Sequence, residues 1–301
     1  MLYKSRTKPT ELRILELLNA RMKLSNRLRD RYLSLKKGYE GEKRFDSLTE
    51  KLQCECLILN DLLLEVTNTT FQIDTLIITK RKINAFEVKN FEGDHYYTAD
   101  KLFKKPNLEI INPLHQLSRS ESLLCQLLSN LGVNLPVETS LVFINPEFTL
   151  YQAPMNQSII FPSQLNRYLK QFNAQPGKLT KSDKQLADQL LTLHMTKSPF
   201  DRLPAYDFDQ LRKGIACPEC HSIAMHTEKR TCVCQKCGCK EPRDDAILRS
   251  SKEYKILFPD EKMTTNRIYD WCQAVASKKV IRRILANHFR VVGVHQWTYY
   301  E

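Results

Sequence analysis

Apolar and polar residues alternate over residues 71–78 and again over 83–90, and the gap between them suits a tight turn centred on Lys80-Arg81. That pattern predicts an antiparallel hairpin, with residues 56–66 as a strand before it. Residues 10–37 predict one long helix, Thr10 serving as its N-cap and Gly38 as its stop. A second amphipathic helix opens at Gly38-Tyr39-Glu40-Gly41-Glu42, with Phe45, Leu48 and Leu52 at core spacing. Residues 112–130 predict a helix, 139–144 and 158–161 short buried strands, and 163–172 a helix on a serine cap. This order implies an α/β fold, a mixed sheet flanked by helices. A polar stretch follows, with a helix at 181–194 and a linker at 198–204.

The hairpin carries the candidate chemistry. In the register set by the turn, Asp74 faces Glu87 and Gln72 faces Lys89, and a two-residue period puts all four on one face. Directly opposed residues have Cβ atoms about 4.5–5.5 Å apart, close enough for two carboxylates to share a divalent cation. Two carboxylates with an adjacent lysine suit metal-assisted phosphodiester cleavage. The acids hold Mg²⁺ or Mn²⁺, and the lysine positions water and offsets charge. Such polar residues also occur on ordinary solvated strands. Here, however, their neighbours Phe71, Ile73, Leu76, Phe86 and Val88 are those of a central strand, where unpaired charge is costly. Glu42, three residues before Phe45, projects to the side of the core stripe and supplies a third carboxylate.

Gly-x-x-Gly-Glu on a helix, Gln-Ile-Asp on a strand and Glu-Val-Lys-Asn-x-x-Gly from Glu87 to Gly93 form an ordered set. The set resembles the nuclease-related domain family, placed among the PD-(D/E)xK restriction-endonuclease-like folds. The resemblance covers roughly residues 35–170. It implies a restriction-endonuclease-like sheet and active-site positions at Glu42, Asp74, Glu87 and Lys89, with Gln72 accessory. Ile73 departs from the proline common before the aspartate, and the turn at Lys80-Arg81-Lys82 lacks the expected glycine.

A formal net charge of +12 points to an anionic partner, and nucleic acid fits better than membrane. No apolar run reaches the roughly 18–20 residues that span a bilayer. No apolar stretch follows the charged residues at the N-terminus, so a cytoplasmic location is expected. Six of the ten cysteines fall within residues 217–239. Cys217-x-x-Cys220 and Cys234-x-x-Cys237-Gly238 are two knuckles of a small zinc ribbon, holding structural Zn²⁺ through four thiolates. Cys232, Cys239, His221 and His226 are competing ligands.

Near the C-terminus, Thr264/Thr265 open a helix through Trp271 and Cys272, and Ser277 caps a second over residues 278–289. Lys278, Lys279, Arg282 and Arg283 lie on its polar side, and residues 291–300 read as a strand pair. Helix, turn, basic helix and wing resemble a winged helix-turn-helix, whose second helix lies in the DNA major groove.

The expected organisation is a basic N-terminal helix (1–37), the nuclease-related domain (38–175) and a helical linker (176–213). The zinc ribbon (214–245) and the helix-turn-helix-like segment (250–301) follow. The expected function is a metal-dependent nuclease acting on DNA rather than RNA. Its rival is a non-catalytic nucleic-acid-binding regulator on the same scaffold.

Overall fold

The computed structural model describes residues 1–155, 158–174, 177–196, 203–273 and 275–301. Contacts divide the chain into one unit of residues 1–8 and 34–200 and another of residues 9–33 and 201–301. The elements begin with β1 (Leu2–Lys4), α1 (Thr10–Arg21), α2 (Asn26–Thr49), β2 (Leu57–Val66), β3 (Thr69–Thr79) and β4 (Lys82–Lys89). Next come β5 (Gly93–Thr98), β6 (Lys101–Lys104), β7 (Leu108–Ile110), α3 (Pro113–Asn130), β8 (Val137–Phe143), β9 (Phe148–Tyr151) and β10 (Ile159–Ile160). α4 (Leu165–Asn173) and α5 (Lys181–Leu193) precede β11 (Met225–Glu228), β12 (Thr231–Cys234) and β13 (Lys240–Pro242). The chain ends with α6 (Arg243–Leu257), α7 (Thr265–Trp271), α8 (Lys278–His288), β14 (Val291–Val292) and β15 (Tyr299–Tyr300).

The first unit is built on a six-stranded mixed sheet in the order β1-β2-β3-β4-β8-β10. β2, β3 and β4 are antiparallel neighbours, whereas β8 runs parallel to both β4 and β10. Leu124, Leu127 and Leu128 of α3 and Leu186, Ala187 and Leu190 of α5 cover one face. Phe45 of α2 and Leu165 and Phe172 of α4 cover the other. A second sheet, β7-β6-β5-β9, was not foreseen; its strands are short and partly exposed, and they carry little periodic signal.

Alternation in the two central strands slips at a single level. Leu57 and Leu59, then Leu62 and Leu64, join one core cluster in β2; Phe71 and Ile73, then Leu76 and Ile78, join it in β3. The slip coincides with Asp61, whose φ of 57° is left-handed. Pairing passes from Asn60↔Thr75 to Leu62↔Ile73 and skips that residue. A strict two-residue period through residues 71–78, expected from sequence, is therefore corrected.

Several expected boundaries also change. The helix over residues 10–37 is two helices, because Met22 is extended and Ser25 Oγ accepts from the Leu28 amide to start α2. Thr10 is the first residue of α1 and Pro9 its cap. Gly38 stops nothing, since α2 runs on to Thr49. Ser163 does not cap α4: a 3-10 turn over Pro162–Gln164 leads into it. The helix placed in a linker, α5, starts at a Thr180–Asp183 capping box and buries Leu186, Ala187 and Leu190 in the first unit's core. Of the linker expected at 198–204, residues 198–202 lie outside the described residues.

In the second unit, Tyr254, Phe258, Phe208 and Trp271 form an aromatic core. The buried Arg21 guanidinium lies 3.7 Å from the Trp271 ring centroid and donates to the Arg212 and Gly214 carbonyls. β11, β12 and β13 form a three-stranded antiparallel ribbon, and α7, α8 and the β14/β15 pair follow in the order expected.

Candidate active site and metal centre

The turn has the register read from sequence. Thr79 pairs with Lys82, and the ladder runs to Thr75↔Phe86, one position short of the Asp74–Glu87 pair and three short of the Gln72–Lys89 pair expected from sequence. Arg81, at φ 55°, takes the left-handed conformation for which a glycine was expected. Beyond the last pair, the Asp74 carboxylate takes over from the ladder: Oδ2 accepts the Val88 amide at 2.8 Å. Lys89 Nζ donates to Glu87 Oε1 at 2.6 Å and to Gln116 Oε1 of α3 at 3.0 Å.

Glu42 reaches this end of the sheet because α2 can approach it closely at Gly41. A Cβ on Gly41 would lie 2.5 Å from the Asn90 Cβ, whereas one on Gly38 would meet nothing within 4 Å. The Asn90 amide also donates to the Lys37 carbonyl at 2.7 Å, tying the end of β4 to the helix. The Gly-x-x-Gly spacing thus serves packing at its second glycine. Gln72 stands apart from the other four: it is exposed and donates to Asp61 Oδ1 at 3.2 Å.

Sequence reasoning missed Arg6. Its side chain is 3% exposed, bonds Glu42 and both oxygens of Asp46, and donates to the Asp74 carbonyl at 2.6 Å. Nothing in a short basic tail distinguishes Arg6 from its neighbours, but Asp46, one turn after Glu42, was a readable signal. Asp61 was missed too. With Asn60 it turns successive carbonyls to Lys4 Nζ, each at 2.7 Å.

Burial dominates the electrostatics. It pushes the Glu87 carboxyl up to about 7, with the charge of Asp74 adding and Lys89 opposing. Burial and then Asp74 likewise push Glu42 up to about 8, against the pull of Arg6. Asp74 is raised by burial despite Lys89 and the Val88 amide. Burial works against the charge on Lys89 and Arg6, yet the surrounding carboxylates outweigh it and hold both above their ordinary values. Ionisation of all three carboxyls is thus opposed by burial and by neighbouring acids, and among the described residues their oxygens do not form a group of three within 4.8 Å of one another.

In the second unit, the sulfurs of Cys217, Cys220, Cys234 and Cys237 all lie within 4.8 Å of one another. Cys217–Cys237 and Cys220–Cys234 are each 3.6 Å apart. A tetrahedral ion with bonds of about 2.3 Å separates its sulfurs by about 3.8 Å, so these four fit Zn²⁺. Each knuckle closes through a left-handed residue, His221 at φ 55° and Gly238 at φ 74°. Bonds from Ser222, then from the Cys237 and Lys236 amides, bring the Cys234 thiol down to about 6 despite its burial. The competing ligands fall away: Cys232 is buried beside Thr227, Cys239 lies outside the group, and His226 pairs with Glu228. Lys278, Lys279 and Arg282 border one groove, whereas Arg283 pairs with Asp244 at 2.6 Å.

Residues 37–144 match the nuclease-related domain (NERD) family. No curated protein matches the chain. Among solved structures, protein VC1899 from Vibrio cholerae is similar over 50% of this chain at 12% identity. The match spans 36% of that protein, with a TM-score of 0.26. Among the described residues, no helix is long and apolar enough to cross a membrane.

Proposed function

Starting from a chain that carries a nuclease-related domain over residues 37–144, we propose a metal-dependent nuclease that hydrolyses phosphodiester bonds in DNA. The observation that carries this reading is the group of buried Asp74 and Glu87 with half-buried Lys89 at the end of two paired strands, with Glu42 brought against it by Gly41.

Asp74 and Glu87 are the residues that would hold Mg²⁺ or Mn²⁺, which supplies Lewis-acid polarisation of the scissile phosphate. The Val88 amide fixes one oxygen of Asp74. Lys89, kept charged by three carboxylates, orients the attacking water and offsets charge on the phosphate as it develops. Burial and Asp74 favour the protonated form of Glu42, so it would bind a second metal or accept water's proton only once a bound cation draws the carboxyl back into its ionised form. Arg6 fixes its rotamer through one oxygen. Gln72, through Asp61, is an accessory polar contact at the rim.

Zn²⁺ bound by the four cysteines has a structural part, because four thiolates leave no open position. Lys278, Lys279 and Arg282 supply phosphate contacts within the segment that resembles a winged helix-turn-helix.

Incubation of supercoiled plasmid with the protein, with and without Mg²⁺ or Mn²⁺, tests the proposal. Metal-dependent nicking or linearisation that is lost in Lys89→Ala is expected. Plasmid binding without cleavage in either metal would leave the regulator reading instead.

A further inference from the structure

The second unit has a groove of about 360 Å³ bordered by Thr265, Lys278, Lys279, Arg282, Gln296 and Thr298, and no acidic residue among the described ones lines it. Among the described residues, Lys279 and Arg282 have no ion-pair partner, and Lys278 lies only over the Tyr269 ring, 5.1 Å from its centroid. Three cations around an open, acid-free groove are electrostatically complementary to a phosphate backbone.

Trp297 stands between Gln296 and Thr298, both of which border the groove, and it is 76% exposed. Val294, 69% exposed, is on the same turn. The hairpin below this tip is anchored. Tyr300 is buried, its amide donates to the Met263 carbonyl at 2.9 Å, and its hydroxyl meets Thr265 Oγ1 at 3.3 Å. Left-handed Gly293 (φ 80°) and His295 (φ 50°) set the turn, and a Cβ on Gly293 would lie 2.6 Å from the Trp297 carbonyl. A constrained turn thus holds a large apolar ring in water next to residues of the basic groove. Scattered exposed apolar residues are ordinary, but an exposed indole on an anchored turn, flanked in sequence by two groove residues, is a specific arrangement.

We propose that this groove binds an unpaired nucleic-acid strand, with its phosphates on Lys278, Lys279 and Arg282 and a base stacked on Trp297. An indole stacks only on a base whose face is free, and a duplex keeps those faces covered. The inference rests on the reading that the protein acts on nucleic acid. It adds that the second unit engages a frayed, looped or single-stranded segment rather than duplex.

The test uses the full chain in buffer free of divalent metal. The protein has two tryptophans, and Trp271 is fully buried, so quenching of the exposed indole reports on Trp297 alone. A dT12 oligonucleotide is expected to quench that emission, while a duplex of equal charge leaves it unchanged. Trp297→Ala should weaken dT12 binding by roughly tenfold and leave duplex binding within about twofold, with unchanged Trp271 emission certifying the fold. Replacing Lys278, Lys279 and Arg282 together by alanine should flatten the log–log salt dependence of dT12 binding by about 2, at roughly 0.7 per phosphate on a single strand. Absence of quenching, or equal losses for dT12 and duplex in Trp297→Ala, would overturn the inference. A chain that cleaves no plasmid in any metal, yet whose Trp297 is quenched by dT12, would sink the nuclease reading and leave this one standing.

Discussion

Replacing Glu87 by glutamine probes how much charge the fold tolerates at the end of β4. Burial and the charge of Asp74 move this carboxyl from 4.5 to about 7, so the folded chain keeps a proton there that the unfolded chain has released. The folded state binds more protons across that window. The stability conferred is therefore fully present below about pH 4.5 and is lost as pH rises through about 7. At about 1.36 kcal/mol per pH unit, the full difference comes to about 3 kcal/mol. Glutamine keeps an acceptor for Lys89 and cannot ionise. Thermal melts of wild type and Glu87→Gln should nearly coincide at about pH 5. At pH 8.5 the variant should melt several degrees higher, as a difference of this size implies. Millimolar Mg²⁺ should then raise the wild-type midpoint at pH 8.5 more than that of the variant, because ligand binding stabilises the state that holds it. A melting difference that stays constant across this pH range, or a variant less stable at pH 8.5, would refute the placement of Glu87 in a buried acid group.

Lys89→Ala should abolish metal-dependent cleavage while leaving DNA affinity within a few-fold in a binding titration, since one lysine is a small part of the phosphate contacts. Cys220→Ser should lose the bound zinc by metal analysis and disorder the β11–β13 ribbon; stoichiometric zinc in that variant would show the ligand set to be wrong. Gly41→Ala should destabilise the first unit by roughly 1–3 kcal/mol in urea melts, because its Cβ collides with Asn90, whereas Gly38→Ala should stabilise it by about 0.5–1 kcal/mol. Arg6→Met should cost about 3–5 kcal/mol at neutral pH by leaving Glu42 and Asp46 without their buried partner, and an unchanged urea midpoint would contradict that role.

Local pattern was enough to determine the hairpin, its turn, the helix of α3 and the two cysteine knuckles. In each of these the information lies within a few residues: alternation, a two-residue gap, helical spacing or Cys-x-x-Cys. The same register brought Asp74 and Glu87 to one end of the hairpin, but the ladder stops one pair short of them and Gln72 turns to Asp61 instead of Lys89. What lies between distant segments was left to tertiary structure. The phase slip at Asp61 depends on two carbonyls meeting Lys4, fifty-odd residues earlier in the chain. The partner of Glu42 is an arginine from the first strand's flank, and no local periodicity marks it. The continuity of α2 through two glycines depends on what stands opposite them: open space at Gly38 and Asn90 at Gly41. A helix-breaking propensity of about 1 kcal/mol is small against such packing. Among the basic residues of α8, only the fold separates Arg283, neutralised by Asp244, from the three that border the groove. Charge along a chain sets the sign of a surface, but which charges remain unpaired depends on the side chains that folding brings beside them.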